Sequence, residues 1–436
     1  MHLSRYVKTY PCPDKPGRLL LVATRRCAVL ESSETLWNKV VTGGELSDRE
    51  RDTLARLGVL VPDRDVEQEE MRATFETINN ASRRIEVTAT LTLECNLACP
   101  YCFEDPFRGR LVMSDATAAL LVRRMAEKMA DGLDVTMDFY GGEALMALPM
   151  LKRIATELGA LARTHGVKYD FNIISNGTLL TRRVVEELLP LGLSAIRTTL
   201  DGSPDIHDQQ RPFVSGKGSF AAILANLREI YELVPIDLGG NYSRTNYHRF
   251  PEMLDILLAE GFLPGRFKAV GFSPVMPRAD GSVAGDLGSA CACTDEPWVI
   301  KAGLFLREEA MKRGFPVPKL KPSACMIEFK NDLVVGYDGS LYKCPVFMGQ
   351  EELRVGSLAE GVGDYSQSHN LDLWKNDECL DCAYLPLCFG GCRFFRKLQT
   401  GAMDGVDCRR AMLDASLETI VRQDLDYNSV LTSSNT

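Results

Sequence analysis

The chain has 436 residues, 45% of them hydrophobic and 25% charged, so it is long enough for two or three globular domains of ordinary composition. Its 50 lysines and arginines against 59 aspartates and glutamates give a net charge of -9, which argues against a nucleic-acid partner. We find no apolar run long enough to span a membrane and no signal peptide, so a cytoplasmic protein without a membrane partner is expected. In that reducing compartment its 14 cysteines are better suited to binding zinc or iron–sulfur clusters than to disulfides.

The first segment, residues 1–65, is predicted to be a separate winged-helix-like module in which a pair of apolar strands precedes two short helices. Ser33 is placed to cap the first helix, and Ser47 or Asp48 the second. A simple extension of the main domain is the alternative. The charged stretch 63–72 is interpreted as a linker.

Between residues 85 and 315 the sequence alternates six times between strand-like and helix-like segments. This pattern predicts an α/β domain whose parallel sheet is either open or curved into a partial (β/α)6 TIM-like barrel. In both arrangements the chemistry gathers at the carboxyl ends of the strands. The candidate strands are 85–93, 134–141, 169–175, 193–201, 235–243 and 267–275.

The remainder of the chain has a different character. Residues 320–410 are rich in cysteines and short turns and show little periodicity, so bound metal is expected to stabilise this cysteine-rich cluster domain. Residues 411–436 are predicted to form a final helix and a tail.

Three cysteines, Cys95, Cys99 and Cys102, directly follow the first candidate strand. Three thiolates from one loop leave one iron of a four-iron cubane open to chelate a small molecule. Structural zinc is the alternative, although it usually takes a fourth nearby ligand. Electron-carrying ferredoxins supply four cysteines per cluster. The spacing therefore favours a catalytic iron–sulfur cluster.

Residues 95–103 closely resemble the cluster loop of the radical S-adenosylmethionine (radical SAM) enzymes, and the resemblance extends over 85–410. It implies that the open iron binds S-adenosylmethionine, whose reductive cleavage gives a 5′-deoxyadenosyl radical that abstracts hydrogen from the substrate. Further motifs match in the family's order at predicted strand ends. The residues that the resemblance assigns to S-adenosylmethionine are Tyr101 near the adenine, Gly141, Gly142 and Glu143 near the methionine amino group, Ser175 and Asn176 near the ribose, Asp201, and Arg211 at the carboxylate.

The C-terminal cysteines resemble the SPASM extension of this family, which carries two auxiliary clusters and thus implies three [4Fe-4S] clusters in all. A pair of zinc knuckles is the alternative. The resemblance assigns Cys325, Cys344 and Cys392 to the first auxiliary cluster, and Cys379, Cys382, Cys388 and Cys408 to the second. The first cluster would keep an open iron for a substrate thiolate unless Cys291 or Cys293 completes it.

SPASM enzymes mostly act on peptides or proteins, so the sequence is interpreted as a maturase of a ribosomally made precursor peptide. Residues 1–65 would bind the leader as an additional strand. The expected product is a thioether from a peptide cysteine, as in ranthipeptide and sactipeptide maturases, and the arrangement also resembles geopeptide maturases. A reductase, flavodoxin or ferredoxin would donate electrons.

Three alternatives stay open. A sulfatase maturase is disfavoured because Pro345 follows Cys344 where those enzymes carry an acidic residue. A radical SAM enzyme of small-molecule cofactor synthesis would need no peptide-docking module. A non-catalytic redox protein would need none of the S-adenosylmethionine motifs.

Overall fold

A computed structural model of the chain describes residues 1–104, 109–276 and 296–433. The chain forms two compact units, one of Met1–Ala81, Lys319–Phe329 and His369–Thr436, the other of Ser82–Pro318 and Lys330–Ser368. Cys291, Cys293 and the last three residues of the predicted tail lie outside the described residues.

The amino-terminal part of the first unit contains a three-stranded antiparallel sheet of order β2-β3-β4, and β1 pairs with β5. Its elements are β1 (His2–Leu3), β2 (Val7–Pro11), β3 (Arg18–Ala23), β4 (Ala28–Ser33), α1 (Glu34–Thr42), α2 (Asp48–Arg56), β5 (Leu60–Val61), α3 (Arg64–Arg72) and α4 (Thr74–Ala81). The predicted caps are confirmed: Ser33 caps α1, and Ser47 forms a reciprocal capping box with Glu50 in α2.

The linker prediction for residues 63–72 is wrong, because helix α3 occupies most of this stretch. Asp63 caps the helix by accepting two backbone N–H groups at 2.8 and 3.0 Å. Glu67 is buried in the helix, where it accepts a hydrogen bond from Ser4 Oγ at 2.5 Å. The sequence did not indicate this helix, because one of its buried positions is occupied by a charged residue and the segment is otherwise rich in charge.

The second unit is a mixed α/β fold built on one large sheet. Its elements are β6 (Arg84–Thr92), α5 (Asp115–Ala130), β7 (Asp134–Gly141), α6 (Leu148–His165), β8 (Tyr169–Ile174), α7 (Arg182–Leu188), β9 (Leu193–Thr199), α8 (Pro204–Gln210), α9 (Phe220–Ile230), β10 (Ile236–Tyr242), α10 (Phe250–Ala259), β11 (Phe267–Pro274), α11 (Pro297–Lys312), β12 (Asp332–Val335), β13 (Ser340–Tyr342), β14 (Gly356–Ser357) and β15 (Gly361–Val362).

Strands β6 to β11 lie side by side in chain order and run parallel, which confirms the α/β prediction and all six candidate strands. Beyond the prediction, β12 adds parallel to β6, and β13, β14 and β15 extend the sheet antiparallel. Alternate residues of β7, including Met137 and Phe139, are fully buried in a core that includes Leu151 and Ile154 of α6. The parallel order brings the carboxyl ends of the strands to one edge.

The carboxyl-terminal part of the first unit contains α12 (Asp377–Leu380), α13 (Leu385–Cys388), α14 (Arg393–Thr400) and α15 (Arg410–Ser433). It shares a core with the amino-terminal sheet, in which Tyr10 and Val22 pack with Tyr384, Leu413 and Leu417. Within the described part of the chain, no helix is both long and apolar enough to cross a membrane.

Candidate functional site

A cavity of about 280 Å³ lies at the carboxyl ends of β6 to β11. The loop after β6 supplies one side of its wall, and the last residues of the other five strands supply much of the rest. The predicted site residues in its lining are Cys95, Cys99, Tyr101, Cys102, Gly141, Gly142, Ser175, Asn176 and Arg211.

The three cysteines of the cluster loop all face this cavity. Cys95 Sγ accepts the N–H of Leu97 at 3.4 Å and Nδ2 of Asn176 at 3.7 Å. Burial raises the pKa of the Cys99 thiol to about 11, and the positive charge of Arg211 opposes this rise. Among the described residues no three His, Cys, Asp or Glu side chains converge on the position of one metal ion. A four-iron cubane does not require its ligands to converge on one position, because each of them binds a different iron.

Gly141 and Gly142 allow β7 to end against the backbone that leads into the cluster loop. A Cβ on Gly141, whose φ is +143°, would lie 2.1 Å from the carbonyl oxygen of Thr92, and one on Gly142 would lie 2.5 Å from that of Glu94. Instead, the Gly142 N–H donates to the Thr92 carbonyl at 2.9 Å, and the Glu143 N–H donates to the Glu94 carbonyl at 2.8 Å. Glycine is required here by this close approach.

The carboxylate of Glu143 is fully buried and ties the end of β7 to the end of β8. It accepts hydrogen bonds from Ser175 Oγ at 2.9 and 3.1 Å, from the Asn176 N–H at 2.7 Å and from the Leu145 N–H at 3.0 Å. Burial raises its pKa, and these donors oppose the rise. The side chain therefore organises the strand ends, which leaves the glycine backbone as the part of this motif that faces the cavity.

Tyr101, Asp201 and Arg211 form one hydrogen-bonded network. The Tyr101 hydroxyl donates to Asp201 Oδ2 and accepts from Arg211 Nη1 at 2.8 Å and from Asn241 Nδ2 at 3.3 Å. Asp201 is fully buried, and Oδ1 accepts the Asn241 N–H at 2.7 Å. Arg211 is 8% exposed, and its Nε has no hydrogen-bond partner among the described residues. Arg211 also lines the cavity, so its guanidinium group lies in the wall of the site.

Behind this network, His207 supports the backbone of Arg211. His207 Nδ1 accepts the Asp201 N–H at 3.1 Å, so the hydrogen-bond pattern assigns the ring proton to Nε2, which donates to Ser219 Oγ at 3.0 Å. Ser219 Oγ in turn donates to the Arg211 carbonyl at 2.6 Å. Burial, together with the charge of Arg211, lowers the pKa of His207 to about 2. His207 is consequently a neutral supporting residue.

Asn241, Tyr140 and Glu104 are among the residues of the site that were not predicted. Asn241, at the end of β10, bonds both Tyr101 and Asp201, and its only sequence signal is a polar residue at a strand end. Tyr140 and Glu104 line the cavity, and burial together with the Glu104 carboxylate raises the pKa of Tyr140. Glu104 directly follows the cluster loop, so its proximity could have been inferred from the sequence.

Six of the seven C-terminal cysteines line two further cavities, both in the first unit. The four predicted ligands of the second auxiliary cluster, Cys379, Cys382, Cys388 and Cys408, all line a cavity of about 70 Å³. Cys325 and Cys392 line a neighbouring cavity of about 200 Å³. The remaining predicted ligand, Cys344, follows β13 in the second unit.

Residues 90–261 match the Radical SAM superfamily. The matched segment contains the cluster loop, both glycines of the β7 end and the Tyr101–Asp201–Arg211 network. Residues 90–261 therefore contain a radical SAM domain, as the sequence predicted.

Two relatives illustrate the range of this similarity. The chain is 25% identical over 333 residues to the PqqA peptide cyclase of Granulibacter bethesdensis, covering 73% of this chain and 85% of the relative. It is 28% identical over 179 residues to the Fe-coproporphyrin III synthase of Methanosarcina barkeri, covering 40% of this chain and only 41% of that relative.

Two solved structures share the fold. Native anSMEcpe with bound AdoMet and Kp18Cys peptide has a TM-score of 0.61 at 18% identity, covering 80% of this chain and 99% of that chain. Streptococcus suis SuiB bound to precursor peptide SuiA has a TM-score of 0.51 at 14% identity, covering 93% of this chain and 98% of that chain.

Proposed function

We propose that this enzyme is a maturase that cleaves S-adenosylmethionine reductively and modifies a ribosomally made precursor peptide, forming a thioether from a peptide cysteine. In this proposal β6 to β11 and their helices form a partial (β/α)6 barrel over residues 85–315. Residues 1–65 form a winged-helix-like leader-binding module, and 320–410 form the SPASM domain. Relatives that act on or bind peptides and align over most of their length support the peptide assignment.

The residues of the cavity have distinct tasks in this proposal. Cys95, Cys99 and Cys102 hold the catalytic [4Fe-4S] cluster, which when bound supplies the electron that cleaves S-adenosylmethionine. Arg211 binds the methionine carboxylate, and Tyr101 keeps the guanidinium in place from its position near the adenine. Gly141 and Gly142 present backbone toward the methionine amino group, while Glu143 positions Ser175 and Asn176 toward the ribose.

The second auxiliary cluster would occupy the 70 Å³ cavity of the first unit, and two of the ligands proposed for the first cluster line the neighbouring cavity. Cys379, Cys382, Cys388 and Cys408 supply four thiolates to the second cluster, a complete set. Cys325, Cys344 and Cys392 supply three to the first, which leaves one iron for the thiolate of the peptide substrate. Cys291 or Cys293 is the competing internal ligand. A cytoplasmic reductase, flavodoxin or ferredoxin would donate the electrons.

The observation that carries the peptide assignment is the open edge of β4. The Arg18 carbonyl accepts a hydrogen bond from the β2 side, so Arg18 and every second residue after it direct their backbone groups toward β2. The residues between them, such as Leu21, direct their backbone N–H and C=O groups toward β4. Leu21 pairs with Leu30, which turns the N–H and C=O groups of Val29 and Glu31 away from the sheet. These groups make no hydrogen bond to any described residue. An extended leader could pair with them as a fourth strand.

The opposite edge of the sheet is less suited to this role. Pro11 at the end of β2 has no N–H, and its carbonyl accepts Arg422 Nη2 of α15 at 2.5 Å. Lys8 of β2 forms an ion pair with Asp414 of α15 at 3.2 Å. Helix α15 therefore occupies part of the β2 edge.

Proline substitutions test the β4 edge. Val29→Pro removes one outward N–H and disturbs the neighbouring pairing, so affinity for a fluorescein-labelled synthetic precursor peptide that carries its leader should fall about tenfold, equivalent to about 1.4 kcal/mol. Thr9→Pro removes an outward N–H from β2 and is the matched control, with expected affinity within about twofold of the unaltered chain. Equal fluorescence anisotropy titrations for both variants and the unaltered chain would refute leader docking at β4 and favour a small-molecule substrate.

A further inference from the structure

The two cysteine-lined cavities of the first unit have a common wall. Cys388 and Arg409 belong to the linings of both cavities. Cys388 is a predicted ligand of the second auxiliary cluster, whereas Arg409 has no role in the proposed function. A cationic side chain therefore lies between two sites that are each surrounded by thiols.

Asp407 holds Arg409 in this position. The Arg409 Nε donates to Asp407 Oδ2 at 3.2 Å, and the same oxygen accepts the backbone N–H of Cys392 at 2.9 Å. Asp407 is 2% exposed, and its own N–H donates to the Gly390 carbonyl at 2.9 Å. Gly391 has a φ of +74°, and a Cβ there would lie 2.1 Å from the Asp407 carbonyl oxygen. The turn that carries Cys392 thus packs directly against the residue that orients Arg409.

The charge of Arg409 has a clear consequence for clusters at these sites. A [4Fe-4S] cluster ligated by thiolates becomes more negative by one unit on reduction, so a fixed nearby cation stabilises its reduced form and raises its reduction potential. The Arg409 side chain is 25% exposed, which limits screening of this charge by solvent. Arginine also keeps its charge at every physiological pH.

We propose that Arg409 tunes both auxiliary clusters at once, raising both reduction potentials from its place in the common wall and making both clusters better electron acceptors. This inference rests on the proposed function for the presence of the two clusters. Arg410 provides an internal comparison, because it lines only the cavity of Cys379, Cys382, Cys388 and Cys408.

The experiment is an anaerobic redox titration of the reconstituted full-length chain, followed by electron paramagnetic resonance. A background in which Cys95, Cys99 and Cys102 are alanine removes the signal of the catalytic cluster. At a fixed potential, R409Q should lower the ratio of reduced to oxidised protein about tenfold at both auxiliary clusters, which equals about 59 mV for a one-electron couple. R410Q should shift the second cluster alone.

Arg409→Lys keeps the charge on a different geometry, so both potentials should lie between those of R409Q and the unaltered chain. This variant also tests the inference if R409Q assembles poorly. Potentials that are unchanged in R409Q, potentials in R409K as low as those in R409Q, or a shift confined to one cluster would overturn the inference provided that the iron content is full. Iron absent from these cysteines in the unaltered chain would instead overturn the cluster assignment within the proposed function.

Discussion

Replacing Tyr101 with phenylalanine tests whether its hydroxyl holds Arg211 in the cavity wall. The substitution nearly conserves volume but removes the donor to Asp201 and the acceptor for Arg211 and Asn241. Asp201 is fully buried and Arg211 is 8% exposed, so neither charged group can replace the lost partner with bulk water. The cost should therefore exceed that of losing a surface hydrogen bond.

The magnitude follows from the two charged partners. A hydrogen bond to a charged group contributes about 1.5–3 kcal/mol, and the longer bond from Asn241 contributes less. Direct attraction between Asp201 and Arg211 recovers part of the loss, so the free energy of unfolding should fall by about 2–4 kcal/mol. For a unit of this size, that is roughly 3–7 °C in Tm. Because Arg211 is no longer held, the Kd for S-adenosylmethionine should rise at least about tenfold.

The assay combines anaerobic thermal unfolding with calorimetric titration of S-adenosylmethionine into reconstituted enzyme of full iron content. Tyr169→Phe is the matched control, since the Tyr169 hydroxyl is buried and bonds no described residue. Its removal should leave Tm unchanged or raise it slightly. A Y101F enzyme with Tm within about 1 °C of the unaltered chain and Kd within about twofold would refute the role assigned to the hydroxyl.

Three further predictions concern pH, backbone approach and the clusters. Burial and the Glu86 carboxylate directly opposite raise the pKa of Asp332 to about 6, so the protonated form that stabilises the fold is lost as the pH rises through 6. At pH 8 the free energy of unfolding of D332N should therefore exceed that of the unaltered chain by about 1–3 kcal/mol. A gain in Tm at pH 5 equal to the gain at pH 8 would contradict this prediction. Gly142→Ala should sharply lower both Tm and S-adenosylmethionine cleavage, because its Cβ would lie 2.5 Å from a carbonyl oxygen. Gly265→Ala is the control, because a Cβ there meets no atom within 4 Å. Equal Tm values for the two variants would count against the close approach at Gly142. Replacing the three cluster-loop cysteines with alanine should remove about four irons per chain and abolish formation of 5′-deoxyadenosine. Replacing the four cysteines that line the 70 Å³ cavity should remove about four other irons. Formation of 5′-deoxyadenosine by the first variant would refute the catalytic assignment.

Local patterns in the sequence were sufficient for the core of the fold and for most of the site. The strand predicted over 134–141 has the bounds of β7, because alternation between buried and exposed positions is a property of adjacent residues. The cluster loop could equally be predicted from the sequence, since three cysteines within eight residues must lie close together in any fold. Placing Tyr101, Asp201 and Arg211 together required one further assumption, that parallel strands end at a common edge.

Contacts between distant residues were decided only by the tertiary structure. No local signal indicated that Asn241 completes the Tyr101 network, that the Glu143 carboxylate is used internally, or that Arg409 lines two cavities. The association of Met1–Ala81 with Lys319–Phe329 and His369–Thr436 in one compact unit was likewise hidden. Periodicity indicates which face of an element is buried, but the partner for that face is selected by the packing and hydrogen bonding of the whole folded chain.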